Sequence, residues 1–552
     1  MTLVSRYFHT LRHLRPVQWY GRLWFRIRRP RPRLAPAPAR RAVATWCEPA
    51  AREPSLIGPS HWQLASVEVH LDGEGGWQFP RLSELLRYNL HYFDDLNATG
   101  AADRRDWHAD LIAHWIAGNP PAQGVGWAPY PTSLRMVNWI KASLSGFALP
   151  AEALHSLAVQ ARQLERRLEW HLLGNHLFVN AKALVFAGCY FDGDEAGRWR
   201  TTGLSILDRE LDEQVLPDGG QFELSPMYHA LAFEDLLDLI NLAGAFAGVI
   251  PRVTVSRWRA VASRMGAWLE AMCHPDGEIS FFNDAAMGVA PTPAGLFDHA
   301  ARLGVSWNAC DTELTHLADS GYIRAQLGAA VLLIDVARIG PDYLPGHAHA
   351  DTLSFELSLA GQRVLVNSGT CCYGISAERL RQRGTAAHNT VIAGGLDSSE
   401  VWSGFRVARR ARPLGLKIER DASSIRIECA HDGYCRDGRK LIHRREWRLT
   451  AGTLEVWDML EGDQVEGEAR FHLHPDIGIS APGQPQDSPS GAASVSLGEQ
   501  PGLVDSTWHP RFGTTVANHV ITSAVPANRR VGICLEWKAR ASGVRVEIRH
   551  WR

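Results

Sequence analysis

No carboxylate occurs in the first 47 residues, although eleven arginines fall within residues 1–41. That stretch therefore cannot neutralise its own charge. In "RYFHTLRHLRP", Tyr7, Phe8, Leu11 and Leu14 recur at helical spacing. A basic amphipathic helix of this kind either docks on its own domain with solvated arginines or lies on an anionic membrane surface. The chain also lacks any run of 18 apolar residues, which argues against a transmembrane helix. The arm shows neither the apolar core nor the small-residue cleavage site of a signal peptide. Nine cysteines include no CxxC pair, and Cys371 and Cys372 are adjacent, a pattern of reduced thiols rather than a disulfide framework. A net charge of -1 leaves no global attraction for nucleic acid. Together these features fit a cytoplasmic protein, or one peripheral to the inner membrane, better than a periplasmic one.

The 552 residues are 45% hydrophobic and 21% charged, enough to bury a large core in several units. Residues 1–75 read as a basic arm and a Pro/Ala-rich linker. Across residues 76–318 the apolar period is helical, as in "SLRMVNWIKASLSGF" and "LAFEDLLDLINLAGAFAGV". Short Gly, Pro and Asn breaks predict an array of antiparallel helix pairs. Over residues 319–552 the period becomes two, as in "AAVLLIDVARIG" and "REWRLTAGTLEVWDMLEG", which predicts a large antiparallel β-sandwich. A cleft between two such domains is a common ligand site.

Five stretches gather groups capable of chemistry. In "LLGNHLFVNAKAL", Asn175 and His176 follow Gly174 at a helix start, where Asn175 either caps the helix or faces a cleft. "LPDGGQFELSPMYHALAFEDLLDLI" crowds Gln221, Glu223, Ser225, Tyr228 and His229 around another helix start. There Ser225 caps, Pro226 suits the first turn, and Tyr228 is either a packed hydrogen-bonding residue or a proton carrier. "HPDGEISFFNDAAMG" places Asn283 and Asp284 in what reads as an Asx turn. In "PGHAHADTLSFELSL" an extended chain would put His347, His349 and Asp351 on one face with Leu353, Phe355 and Leu357. Two histidines so spaced suit a metal ion, or a division between proton transfer and support. "RLRQRGTAAHNTVIAGG" brings His388 behind Arg381 and Arg383, which either grip a carboxylate or are solvated loop charges. The nearby "VNSGTCCYG" adds Asn367 and Tyr373.

Taken together, "GNHLFVNAKAL", "DGGQFELSPMYH", "GHAHADTLSFEL" and "RGTAAHNTV" resemble, in order and spacing over roughly residues 80–415, the heparinase II/III-like family of polysaccharide lyases. The resemblance implies an incomplete (α/α) toroid followed by antiparallel sandwich layers. It implies β-elimination at a uronic acid of an anionic polysaccharide, with no cofactor needed for the chemistry. Asn175 and His176 then resemble the groups that neutralise the uronate, Tyr228 the proton-transferring tyrosine, and His347 a base or further charge stabiliser. Glu223, Tyr373 and Arg383 resemble cleft residues. "PYPTSLRMVNW" resembles a substrate-groove segment, giving binding roles to Tyr130, Arg135 and Trp139. The family's structural zinc would use His349 and His388, but Asn367 stands where an aspartate is expected, and an amide is a poor zinc ligand beside a carboxylate. Asp351 is a nearby acid, without a motif behind it. The arginine-rich arm leaves open a second reading: a non-lyase glycan-binding or carbohydrate-active protein of exopolysaccharide or capsule production on the same scaffold.

Overall fold

The computed structural model describes residues 3–71, 76–309, 313–480, 494–497, 502–540 and 543–551. Two helices, Leu3–Leu11 and Pro16–Ile27, open the chain. An extended segment then crosses the helical part, where Arg41 N donates to the Tyr190 carbonyl and Ala44 N to that of Ala245, both at 2.9 Å. Residues 1–75, expected as arm and linker, also contain a three-stranded antiparallel sheet, Leu56–Gly58, His61–Leu64 and Val67–His70. Its strands are too short for a two-residue period to stand out.

Seven long helices follow: Arg105–Gly118, Pro129–Leu144, Ala151–Glu165, Gly174–Tyr190, Asp194–Gln214, Pro226–Ala245 and Arg252–Ala271. Pro129 and Pro226 occupy first-turn positions, where a missing N–H costs nothing. The Ser225 hydroxyl accepts from Tyr228 N at 3.1 Å, as its N-cap position predicts. One apolar core joins the helices, with Trp115, Trp139, Trp199 and Trp258 fully buried. Charges run through it in matched pairs. Lys182 Nζ reaches Asp235 at 2.6 Å and Asp238 at 2.7 Å, Lys141 reaches Asp238 at 2.9 Å, and Arg52 from the extended segment closes on Glu234. Buried charges persist only when paired in this way, so the network pins three helices to one another.

Strands occupy the rest. Leu314–Leu317, Tyr322–Leu327, Ala330–Asp335, Phe355–Leu359 and Gln362–Leu365 form an antiparallel five-stranded sheet in chain order. A four-stranded sheet contains Val391–Ala393 and Gly467–His472, and an eight-stranded sheet contains Ser424–His431, Leu441–Thr450 and Thr453–Gly462. Gly478–Ser480 and Ser494–Leu497 pair in parallel at its edge, so this sheet is mixed where antiparallel pairing was expected throughout. Leu332, Phe355, Trp447, Phe471 and Ile533 belong to one core shared by the sheets. A smaller core with Leu224, Trp268, Phe282, Tyr322 and Leu333 ties the helices to the five-stranded sheet.

Gly203 marks a close helix contact. A Cβ there would lie 2.6 Å from the Ala181 carbonyl oxygen and 2.7 Å from Val185 Cγ2. Glycine to alanine inside a helix ordinarily stabilises by about 0.5–1 kcal/mol. Here the sign reverses: Gly203→Ala is expected to lower the unfolding free energy in urea by about 1–3 kcal/mol, and equal or greater stability would refute this packing.

Candidate active site

Polar residues from both parts of the chain meet at the junction. At the centre is Asp284, fully buried. His347 Nδ1 lies 2.8 Å from its Oδ2 and His349 Nε2 lies 2.8 Å from its Oδ1. Arg379 reaches both oxygens, Nη2 at 2.7 Å and Nη1 closer still. Burial alone would raise the carboxyl's pKa, but the Arg379 charge and the two imidazoles hold it well below its ordinary value. An ionised carboxylate only accepts. His347 Nδ1 must therefore donate, which leaves the lone pair of the neutral ring on Nε2. By the same argument His349 presents its lone pair on Nδ1.

The loop before this hub is shaped to reach it. Asn283 takes a left-handed backbone (φ 56°). Its Oδ1 accepts from His349 N at 3.0 Å, its Nδ2 donates to the Leu224 carbonyl at 2.8 Å, and its own N–H donates to Asp351 Oδ2 at 2.9 Å. The Asx-turn reading of Asn283 and Asp284 is thus corrected: the pair organises the junction. Arg379, which no motif singles out, lies in the helix Ala377–Arg383, where its type does not distinguish it from Arg381 and Arg383. The extended geometry expected for residues 347–353 is absent too, since the strand starts at Phe355 and Leu353 has φ 65°. His347 and His349 converge because both reach Asp284, not because they share a strand face.

His347 is 20% exposed at its side chain, whereas His349 is 0% exposed. The His347 ring stacks obliquely on Tyr228, with centroids 4.0 Å apart, and the Tyr228 hydroxyl lies 2.9 Å from that of Tyr373. Burial, with Tyr373 alongside, pushes the Tyr228 phenol well above its usual pKa, so it stays protonated at neutral pH. Glu223 Oε2 is 3.7 Å from His347 Nε2, and burial raises its carboxyl.

The other wall is the start of the helix Gly174–Tyr190. Leu173 holds the cap position without a side-chain bond, so Asn175 is not a cap; its Nδ2 donates to the Tyr130 hydroxyl at 3.1 Å. The Tyr130 ring lies 4.5 Å from that of His176. Burial works to lower the His176 pKa, but Glu169, 3.3 Å from its Nδ1, outweighs this and raises it. Gly174 has φ +53°, and a Cβ there would run into Leu344, three residues before His347. Tyr130, Asn175, His176, Tyr228, His347 and Tyr373 all keep partial access to solvent.

Three expected binding residues lie elsewhere. Arg135 is fully buried, stacked 3.8 Å from the Trp115 ring and bonded to the His91 carbonyl and Gln160. Trp139 is fully buried against Phe93 and Trp115. Both are core residues, because the helix Pro129–Leu144 is sheathed on nearly every side. Arg383 is fully buried as well, and its guanidinium donates to the Ala348 carbonyl at 2.8 and 3.1 Å. It clamps the histidine loop instead of meeting a ligand.

One buried group is suited to a metal. His349, Asp351 and His388 each offer a ligand atom within 4.8 Å of the others. His349 Nδ1 and His388 Nε2 are 3.2 Å apart, and tetrahedral zinc–nitrogen bonds of roughly 2.0–2.1 Å set two nitrogens about 3.3 Å apart. Burial lowers His349 to about 4, so its ring is neutral, with Nδ1 available and Asp284 behind Nε2. Asn367 is not among these groups: its Oδ1 accepts from Asn389 N and its Nδ2 donates to Ser354.

Two family models match the chain, heparinase II/III N-terminus over residues 60–294 and heparinase II/III-like, C-terminal over residues 310–540. A heparin-sulfate lyase of Pedobacter heparinus is 32% identical over 373 residues, 60% of this chain and 53% of that protein. Another, of Bacteroides stercoris, is 26% identical over 261 residues, 43% of this chain and 37% of that protein. The chain thus spans about half or less of these curated relatives. Among solved structures, one of heparinase III aligns with TM-score 0.62 at 18% identity, over 88% of this chain and 86% of its own. Heparan sulfate lyase from Pedobacter heparinus aligns with TM-score 0.54 at 19% identity, over 95% and 90%.

Removing the charge at Asp284 leaves Arg379 buried without a counter-ion. Asp284→Asn is expected to cost roughly 3–5 kcal/mol in urea unfolding. A loss below about 1 kcal/mol, the scale of an exposed pair, would contradict the hub.

Proposed function

The chain belongs to the heparinase II/III-like family, and on that premise we propose that it is a polysaccharide lyase cleaving a uronic-acid-containing glycan by β-elimination. The observation that carries this reading is the contact of Tyr228 with His347, at 4.0 Å between ring centroids, opposite the donor wall of Asn175 and His176. In this reading Asn175 Nδ2 and the His176 ring neutralise the uronate carboxylate, and the positive end of the helix Gly174–Tyr190 adds to the field. The C5 proton then becomes acidic. His347 Nε2 takes it, with Asp284 stabilising the imidazolium formed. The C5–H electron pair becomes the C4=C5 double bond, the C4–O bond breaks, and the Tyr228 hydroxyl gives its proton to the departing oxygen. Tyr373 holds that hydroxyl by hydrogen bonding. Tyr130 and Glu223 line the sugar site. The helix pairs are read as an incomplete (α/α) toroid, and the sheets that share one core as layers of a sandwich.

A structural zinc fits the donors of His349, Asp351 and His388, with Asp351 in place of the carboxylate that Asn367 cannot supply. Bound there, it would cross-link the histidine loop to His388, three residues before the strand Val391–Ala393, and leave proton transfer to His347 and Tyr228.

The conjugated uronate product absorbs in the ultraviolet. Over a panel of heparan-type glycosaminoglycans and polyuronates, at least one substrate is expected to give this signal, and Tyr228→Phe to reduce it by about 10²–10⁴-fold with unfolding unchanged. Silence on the whole panel, or a Tyr228→Phe variant as active as the parent, sinks the lyase reading. For the metal, elemental analysis of protein purified without chelator is expected to find zinc near one per chain, lost in Asp351→Ala; a zinc-free protein that added zinc does not stabilise against heat counts against the site.

A further inference from the structure

We infer that the two N-terminal helices form a docking surface for an anionic lipid bilayer. Both are amphipathic, and both turn apolar side chains outward. In Pro16–Ile27, Tyr20, Leu23, Trp24 and Ile27 recur at i, i+3, i+4 and i+7, and are 59–68% exposed. A helix resting on its own domain buries such a stripe. Here the protein-facing side is instead Gln18, Gly21 and Phe25. Gln18 Nε2 donates to the Tyr343 carbonyl at 3.1 Å, a Cβ on Gly21 would sit 3.1 Å from that of His171, and the Phe25 ring lies 3.6 Å below the Arg167 guanidinium. In Leu3–Leu11, Leu3, Val4 and Phe8 are 62–77% exposed. Tyr7 meets Trp402 edge-to-face at 5.0 Å, and the Thr10 hydroxyl accepts from the Trp402 indole at 3.1 Å, so this helix is moored to the strand-rich part. The two helices are thus held firmly with their oily side toward solvent, an exposed patch of the kind that marks an interaction surface.

Charge identifies what covers it. Arg6, Arg12, Arg22, Arg26, Arg28 and Arg29 are exposed on the same two helices and their ends, and no carboxylate precedes Glu48. Apolar and aromatic side chains beside exposed arginines match the acyl boundary and headgroups of an anionic leaflet. Trp19 and Tyr20 are of the types that settle at that boundary. An aromatic crevice of about 310 Å³, lined in part by Tyr20, Trp24, Phe25 and Trp170, opens beside the stripe. Two copies meeting through this face would bring both sets of arginines together, a like-charge contact that disfavours self-association. Among the described residues no helix is long and apolar enough to cross a membrane, so the contact is peripheral. It also adjoins the candidate active site: Arg15 lies 3.8 Å over the Tyr343 ring, and Tyr343 precedes Leu344 at the head of the histidine loop.

Sedimentation of the full chain with vesicles tests this. With phosphatidylcholine vesicles containing phosphatidylglycerol at low salt, the protein is expected to pellet more than roughly tenfold better than with phosphatidylcholine alone, and less as salt rises. A Leu23→Ser, Trp24→Ser, Ile27→Ser triple variant should lose that binding with its thermal unfolding unchanged, since these side chains are already in water. Protein that stays in the supernatant with anionic vesicles overturns the inference. So does a triple variant that binds as well as the parent, or a parent dimer that the variant abolishes without any vesicle binding. Vesicle binding needs no substrate, so its outcome stands apart from that of the lyase assay.

Discussion

A carboxylate shut away from water must be met by donors on every side, and Asp284 draws its donors from distant segments of chain. His347 and His349 approach from one loop, Arg379 from the helix Ala377–Arg383, and Thr370 from the strand-side loop at 3.3 Å. The Asp284 carbonyl also accepts from Ser225, the residue that caps the helix bearing Tyr228. One buried charge therefore sets the tautomers of two histidines, the place of an arginine and the start of a helix. Because the carboxylate is ionised, its two oxygens sort the histidines. One imidazole stays partly exposed, with its free nitrogen 3.7 Å from Glu223, and the other is wholly buried.

The helical part supplies the opposite wall by a different device. Glu169 is held by Asn180, whose Nδ2 donates to it at 3.1 Å, and in turn raises the proton affinity of His176. Gly174 lets the helix start meet Leu344 closely enough to bring Asn175 toward the histidine loop. Behind this wall the Lys141, Lys182, Asp235 and Asp238 network keeps three helices from sliding. Neither part holds the whole set of groups. The opening lies where they meet, and Arg383 and Asn283 brace the loop between them.

Much of this was readable along the chain. Periodicity separated helices from strands, and Ser225–Pro226 marked a helix start that the structure retains. Of the partly exposed residues, Asn175, His176, Tyr228, His347 and Tyr373 stand out in the sequence by type and position, and Tyr130 only through the family resemblance. The failures have a common origin. "FFND" looks like any polar turn, because the partners of Asn283 and Asp284 lie 39 to 95 residues away. Arg135 and Trp139 look like groove residues, because their type does not reveal that every side of their helix is covered. Asp351 lacks a motif because its companion His388 comes from another loop.

What the sequence determined by itself is local: the change of period from helix to strand, the helix starts, the basic arm with its apolar stripe, and the kinds of group available for chemistry. Tertiary structure decided which of them act together. It gathered Asp284, Arg379 and two histidines, left Asn367 bonded to Asn389 and Ser354, and turned Tyr20, Leu23, Trp24 and Ile27 outward. The physical reason is that ionisation, tautomer and exposure depend on neighbours in space. Spacing along a chain names a neighbour only within a turn of helix or a pair of strand positions.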